Sequence, residues 1–243
     1  MIRYGIFSDV HSNLEALEAV LQALSAERVD RLLCAGDLVG YGADPVACLE
    51  RMRGAGVQAV AGNHEWGALG KLPLDWFNEH AQRALEWTAG KLGPQERAYL
   101  SELPLTWKDA EVTLAHGSFH EPEKFHYVFE PGSAQECLTR LETPLGFIGH
   151  THVPGFFVEE EPGQVRFSRS DWRELQPGRK LLVNVGSVGQ PRDGDPRAAF
   201  CVYDTEQRRV EVKRVPYPVE RAQRKIREAG LPGFLAERIA FGY

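Results

Sequence analysis

Cysteine is scarce in this chain, and what little there is forms no pattern. Cys34, Cys48, Cys137 and Cys201 are far apart and make no CxxC pair, so the sequence signals neither a thiolate zinc site nor the disulfide framework of a small secreted domain. No segment approaches the roughly 20 apolar residues that a membrane-spanning helix needs. The opening stretch Met1 to Phe7 reaches Asp9 without the long apolar core and small-residue cleavage site of a signal peptide. A basic excess is missing too. With 28 Lys and Arg against 34 Asp and Glu, the formal net charge is −6, which argues against a broad DNA or RNA surface, where a basic face would neutralise phosphates. Internal repeats and low-complexity tracts are absent. These absences predict a soluble, cytoplasmic protein with reduced thiols and without a nucleic-acid or membrane partner; they leave open a monomer or a small homo-oligomer.

What is present is the composition of an ordinary globular protein. The chain has 243 residues, 43% hydrophobic and 26% charged, enough for a substantial core within one domain spanning 1–243. Short apolar runs at Ile2 to Phe7, Arg31 to Ala35, Val57 to Ala61, Val112 to Ala115 and Leu145 to Ile148 have the length and β-branched or aromatic content of buried strands. Between the first two, Leu14, Leu17, Val20, Leu21 and Leu24 share one helical face behind the cap residues Ser12 and Asn13. Pro45 to Met52 and Ser133 to Leu141 read as further crossover helices, the pattern of an α/β protein with a largely parallel sheet. In the second half, Gly155 to Glu160, Gln164 to Arg169, Leu181 to Val185, Ala198 to Asp204 and Val210 to Val215 are closely spaced, with hairpin-like turns such as Glu161-Pro162-Gly163. They predict a second, mostly antiparallel sheet. The expected architecture is α/β: a two-sheet mixed β-sandwich flanked by helices in α-β-β-α layers. The stretch 72–103 is expected to be a helical insertion or cap beside the site, and Val219 to Phe241 a helix broken at Gly230-Leu231-Pro232.

Five strand-like runs share a feature: each stops and a metal-ligand residue type follows at once. The places are Ser8-Asp9-Val10-His11, Gly36-Asp37, Gly62-Asn63-His64-Glu65, Ala115-His116-Gly117 and Gly149-His150-Thr151-His152. Carboxyl ends of strands in open α/β sheets converge on the ligand crevice, so residues distant in sequence meet there. Two carboxylates, an amide oxygen and several imidazoles without a thiolate suit Mn, Fe, Zn, Co or Ni better than Mg or Ca. The donors outnumber what one ion takes, which points to two divalent metal ions about 3.5 to 4 Å apart, sharing an anionic bridge.

The five motifs resemble those of the calcineurin-like metallophosphoesterase superfamily: D-x-H, G-D, G-N-H-E/D, H and G-H-x-H, in that order from Asp9 to His152. Gly36 to Pro45 and Asn184 to Arg192 resemble the small bacterial and archaeal branch of phosphodiesterases and diadenosine tetraphosphate hydrolases. The resemblance implies that Asp9, His11, Asp37 and His152 hold one metal, and that Asp37, Asn63, His116 and His150 hold the other. It implies a phosphodiesterase-like hydrolase acting through a metal-bridging hydroxide on small phosphate esters, nucleotides foremost. His64 would be the catalytic residue, facing the phosphate, steadying its charge or protonating the leaving alkoxide.

One departure bears on substrate. Relatives that dephosphorylate phosphoserine or phosphothreonine carry an Asp-Arg pair, as G-D-x-V-D-R-G, where this chain has Val39-Gly40-Tyr41-Gly42. The missing Arg clamps phosphate and the missing Asp orients the catalytic His. Protein phosphatase or other phosphomonoesterase activity is therefore the alternative reading, and a non-catalytic binding scaffold a further one. Glu65 is a candidate to orient His64, and Tyr41 and Arg192 are candidate substrate contacts. His150 and His152, two apart in an extended segment, would point the same way, and Asn63 would be a left-handed turn residue. His120 and His126, with Phe119, Phe125, Tyr127 and Phe129, form a candidate aromatic wall. His80 reads as a solvated surface histidine, and Trp66, Trp76 and Trp87 read as helix packing or an interface.

Overall fold

The computed structural model describes residues 1–161 and 163–243. The expected turn at Glu161-Pro162-Gly163 thus lies partly outside the described residues. Its flanking strands are described and pair as a hairpin.

Two six-stranded sheets stack face to face. In chain order the elements are β1 (Arg3–Phe7), α1 (Leu14–Ala26), β2 (Arg31–Cys34), α2 (Pro45–Gly54), β3 (Gln58–Ala59), α3 (Asn63–Ala68), α4 (Glu79–Lys91), α5 (Pro94–Glu102), β4 (Thr106–Lys108), β5 (Val112–Ala115), α6 (Pro131–Arg140) and β6 (Leu145–Ile148). There follow β7 (Gly155–Glu161), β8 (Gln164–Ser168), β9 (Trp172–Glu174), β10 (Leu181–Asn184), β11 (Ala198–Asp204), β12 (Arg209–Val215), α7 (Val219–Glu228) and α8 (Gly233–Phe241). The first sheet runs β3-β2-β1-β11-β12-β9 and the second β4-β5-β6-β10-β7-β8.

Each sheet is mixed, with three parallel strands extended by antiparallel ones, and in the second sheet β4 adds an antiparallel strand at the other edge as well. β1, β2 and β3 are parallel, as are β5, β6 and β10, while β11 and β12 extend the first sheet and β7 and β8 the second in antiparallel order. The later strands therefore do not build a sheet of their own, as the spacing predicts. Instead β11 joins β1 and β10 joins β6. Short hairpins fix who pairs with whom locally, but which sheet a hairpin joins is set by long-range packing. The strands β4 and β9 carry no sequence signal because each is three residues long at a sheet edge.

Alternation sorts the side chains into layers. Tyr4 and Ile6 of β1, Val112 and Leu114 of β5, and Leu145 and Phe147 of β6 are buried together between the sheets. On the outer face of the first sheet, Phe200 and Val202 meet Leu17, Val20, Leu21 and Leu24 of α1. On the far side, Ile148 and Leu182 meet Ala134, Cys137 and Leu138 of α6. Burying one such Leu or Phe is worth about 1.5–3 kcal/mol, so these three cores hold the sheets and helices together. Asn13 anchors α1: its Oδ1 accepts from Ala16 N at 3.1 Å, an N-cap worth about 1 kcal/mol.

The four cysteines are buried and free. Among the described residues no helix is long and apolar enough to cross a membrane.

Candidate metal centre

Six parallel strands end at one rim, and their following loops carry the polar residues. Asp9 and His11 follow β1, Asp37 follows β2, Asn63 and His64 open α3 just after β3, His116 follows β5, and His150 and His152 follow β6. The loops are bound by backbone contacts: Asp9 N donates to Gly36 O at 2.9 Å, His11 N to Asp37 O at 3.0 Å and Ser12 N to Leu38 O at 3.1 Å. Asp9, His11, Asp37, Tyr41, His150 and His152 all have φ between 48° and 67°, a left-handed conformation uncommon for residues other than glycine and typical of functional sites held by their surroundings. His150 and His152 thus do not lie in an extended segment. They turn to different partners, and they are not a chelating pair. Asn63 is the first residue of α3, with Gly62 as its cap, and has no left-handed turn geometry.

The side chains gather as two groups that share one carboxylate. Asp9, His11, Asp37 and His152 present donor atoms all within 4.8 Å of one another, and so do Asp37, His116 and His150. Asp37 Oδ2 stands 3.6 Å from His11 Nε2 and 3.2 Å from His116 Nε2. Asn63 Oδ1 lies 3.1 Å from His116 Nε2, at the second group. Among the described residues, every position that the motifs nominate falls in this cluster or at its edge.

Three imidazoles are oriented from behind. Nδ1–H of His11 donates to Val39 O (3.1 Å), that of His116 to Ala35 O (2.8 Å) and that of His152 to Gln190 O (2.6 Å). A carbonyl only accepts, so these bonds place the proton on Nδ1 and leave the Nε2 lone pair facing the cluster, as metal-ligating histidines are arranged. His11 Nε2 then faces His152 Nε2 at 3.2 Å, and His116 Nε2 faces His150 Nδ1 at 3.0 Å. Asp9 Oδ1 is buried without a hydrogen-bond partner. The lone pairs of His11 and His152 facing each other beside an orphaned carboxylate oxygen fit a divalent cation, which would satisfy all three at once.

The electrostatics agree. Burial opposes charge on Asp9 and Asp37, yet the neighbouring imidazoles, His152 and His11 for the one and His116 and His64 for the other, hold both well below the usual carboxylate range. Burial likewise opposes charge on His116, but Asp37 outweighs it and raises that imidazole to about 9, so a cation binding there would first displace the proton from Nε2. Burial, then Arg192, lowers His152 to about 4. The cavity favours positive charge at its centre.

His64 sits apart from both groups. Its ring is enclosed by Tyr41 (4.5 Å between centroids), His11 (4.6 Å) and Phe77 (5.4 Å), and its Nδ1 is buried without a partner. Burial holds it well below the normal imidazole range, as a neutral ring. Glu65 does not orient it. The Glu65 carboxylate accepts from four backbone groups instead: Asp37 N (2.9 Å), Leu38 N (2.7 Å), Val39 N (3.1 Å) and Gly62 N (2.7 Å). Burial, then Asp37, pushes that carboxyl up to about 7 against those four donors. A charge at helix position N3 reaches back to its own cap and the loop beside it, and so joins the loops bearing Asp37 and Asn63.

Above the cluster lies a cleft of about 230 Å³ floored by Asp37, Asn63, His64, His150 and His152. Tyr41 and Arg192 line one side, and Phe125 and Tyr127 another. Tyr127 stacks on His150 at 3.8 Å. Leu72, Trp76, Phe77 and Asn78 form a further wall. Trp76, 71% exposed at the rim, is not packed into the helical core. His120 and His126 line a separate hollow with Glu121 and Glu136 and do not reach the cleft. Phe119 packs on the α6 core and Trp66 against Phe125. His80 is not simply solvated: it stacks on Phe234 of α8 at 4.9 Å.

A family model described as the calcineurin-like phosphoesterase superfamily domain matches residues 2–208. The chain belongs to the calcineurin-like phosphoesterase superfamily. As a calcineurin-like phosphoesterase it is 37% identical over 242 residues to an uncharacterized protein of Methanocaldococcus jannaschii, covering 98% of this chain and 97% of that one. A metallophosphoesterase from Sphaerobacter thermophilus is similar in structure, with TM-score 0.88 and 39% identity over 100% of this chain and 99% of the other. A hypothetical protein of Pyrococcus horikoshii OT3 shares the fold at TM-score 0.82 and 18% identity, over 100% and 99% of the two chains. Calcineurin-like phosphoesterases are metal-dependent hydrolases of phosphate esters, and the two donor groups are what this one has to offer a metal.

Proposed function

We propose that this phosphoesterase hydrolyses phosphodiester or phosphoanhydride bonds of small, nucleotide-derived substrates. The observation that carries the reading is the pair of buried donor groups sharing Asp37 on the floor of a cleft. In it, Asp9, His11, Asp37 and His152 hold one divalent ion, and Asp37, Asn63, His116 and His150 the other, with Mn, Fe, Zn, Co or Ni as the fitting metals. Two such ions would polarise the phosphate and make water a nucleophile near neutral pH.

The protein's own groups supply the rest. Val39, Ala35 and Gln190 carbonyls keep three imidazoles aimed inward. As the attacking oxygen bonds to phosphorus and the bond to the leaving oxygen breaks, that oxygen needs a proton. With Nδ1 of His64 sealed, Nε2 is the nitrogen left to face the phosphate, where the neutral ring donates a hydrogen bond that steadies the developing charge, and water supplies the proton that the leaving oxygen takes up. Tyr41 and Arg192 contact the substrate from the side wall. Four buried, unpaired thiols support a reducing, cytoplasmic setting.

The test is turnover of bis-p-nitrophenyl phosphate and dinucleoside polyphosphates by protein loaded in turn with Mn, Fe, Co and Ni. Turnover with at least one metal is expected, and none with any would defeat the reading. His64→Ala should lower turnover while metal content stays; equal loss of both would make His64 a ligand.

A further inference from the structure

Arg192 is a half-buried guanidinium in the cleft whose partners are all neutral. Its Nη2 donates to Gln190 Oε1 at 2.7 Å, its Nε approaches the same oxygen at 3.3 Å, and Nη2 lies 3.5 Å from Tyr41 Oη. The guanidinium carbon stands 5.8 Å from the Tyr41 ring centre. No carboxylate among the described residues pairs with it, whereas Arg197, Arg214 and Arg221 each have one. A second guanidinium, Arg238, is close enough that burial and then Arg192 draw it down to about 10. Lys124, the other cation lining the cleft, is tied to Glu121 at 2.6 Å. Unbalanced charge held away from bulk water is costly unless an anion meets it, and the cleft is where an anion arrives.

The guanidinium is also indexed to the cluster. Gln190 is 1% exposed: its carbonyl accepts His152 Nδ1–H, its N–H donates to Ser187 Oγ, and its side-chain oxygen holds Arg192. One residue therefore sets both a candidate ligand imidazole and the cation beside it. Two cations on the floor would engage the two non-esterified oxygens of a phosphate. An isolated diester then has no anionic oxygen left over. A monoester has a third, and an anhydride has the neighbouring phosphate.

We propose that Arg192, aimed by Gln190 and Tyr41, receives an anionic phosphoryl oxygen beyond those two, so that the cleft selects phosphoanhydrides or terminal phosphates over isolated diesters. The proposal rests on the reading above only for where the scissile phosphate lies. It makes Arg192 a specificity-determining residue and Gln190 a positioning residue.

The test is calorimetric binding of inorganic pyrophosphate and of dimethyl phosphate to the full chain, both chelator-stripped and Mn-loaded. Losing a charge-assisted pair, Arg192→Met is expected to lower the pyrophosphate-to-dimethyl-phosphate affinity ratio about tenfold or more in both states. Gln190→Glu, which sets a carboxylate on the guanidinium but keeps the backbone bond to His152, should lower the same ratio with metal content retained. Arg192→Lys should recover part of it. An unchanged ratio in Arg192→Met, or equal loss of both probes, overturns the proposal. In Mn-loaded protein, the kcat/KM of a dinucleoside polyphosphate and of p-nitrophenyl phosphate, each relative to the bis ester, shows which source supplies the oxygen: the ratio that falls in Arg192→Met names it. Absence of any turnover would defeat the proposed hydrolysis, and the binding ratio would still decide this inference.

Discussion

Gly40 and His64 are fitted so closely that a β-carbon on Gly40 would overlap His64 Nδ1. Gly40 has φ +86°, and it stands where relatives that act on phosphoserine carry the Asp that orients this histidine. The imidazole occupies the space that a side chain at position 40 would need. Gly40→Ala is expected to cost about 1–3 kcal/mol in backbone strain and to lower kcat at least tenfold by displacing His64, with metal content kept. Chemical denaturation and metal analysis alongside rates check this, and unchanged kcat would remove His64 from the chemistry. Gly40→Asp should not restore an Asp–His pair.

Glu65→Gln should loosen two loops at once. An amide offers one acceptor where the carboxylate serves four N–H groups, so at least two buried donors lose their partner, at about 1–3 kcal/mol each. A fall in the urea midpoint with weaker metal binding is expected. Wild-type stability in this variant would mean that water replaces the carboxylate.

Metal stoichiometry should separate the two donor groups. Asp37→Ala removes the residue common to both and is expected to lose both ions, while His116→Ala keeps the group of Asp9, His11 and His152. Elemental analysis after dialysis measures it, and equal metal content in the two variants would contradict a shared bridge. Stripping the wild type with a chelator should lower its melting temperature, since an ion at 100 times its Kd contributes about 2.7 kcal/mol.

The loop after β10 should prove to be a brace for the first group. Ser187 Oγ donates to Asp9 O and accepts from Gln190 N, and Gly189 N donates to Asp9 O, all at 2.9 Å. A β-carbon on Gly189 would overlap Val10 O. Ser187→Ala is expected to cost about 1 kcal/mol and to weaken the Asp9 group selectively, and Gly189→Ala to cost more. Calorimetric titration of Mn into stripped protein should show one site weakened and the other kept; equal loss at both would make the loop a general support.

The candidate ligands were legible because chemistry restricts them to a few residue types, and because strand ends concentrate function. Asp9, Asp37, His116 and the two histidines of Gly149-His150-Thr151-His152 each follow a short apolar run, and that local conjunction is readable without coordinates. The role of Glu65 was not. Its place beside His64 invites a direct contact, but α3 turns the two side chains apart and carries the carboxylate under the Asp37 loop. Gln190 was silent for a related reason: its importance lies in a carbonyl and an amide oxygen that meet His152 and Arg192 only after β10 has docked beside β6.

By itself the sequence determined which segments are strands and helices over most of the chain, which side chains are candidate metal ligands by type, and that Gly40 and Tyr41 stand in place of an Asp-Arg pair. Local propensity and side-chain chemistry are properties of a residue and its near neighbours, so they survive in one dimension. The tertiary structure alone decided that β11 belongs with β1 and β10 with β6, that Asp37 stands between both donor groups, and that Arg192 lines the cleft with no carboxylate partner among the described residues. Those are distances between residues that the chain keeps far apart, and they are set by which apolar faces bury against each other when the two sheets close.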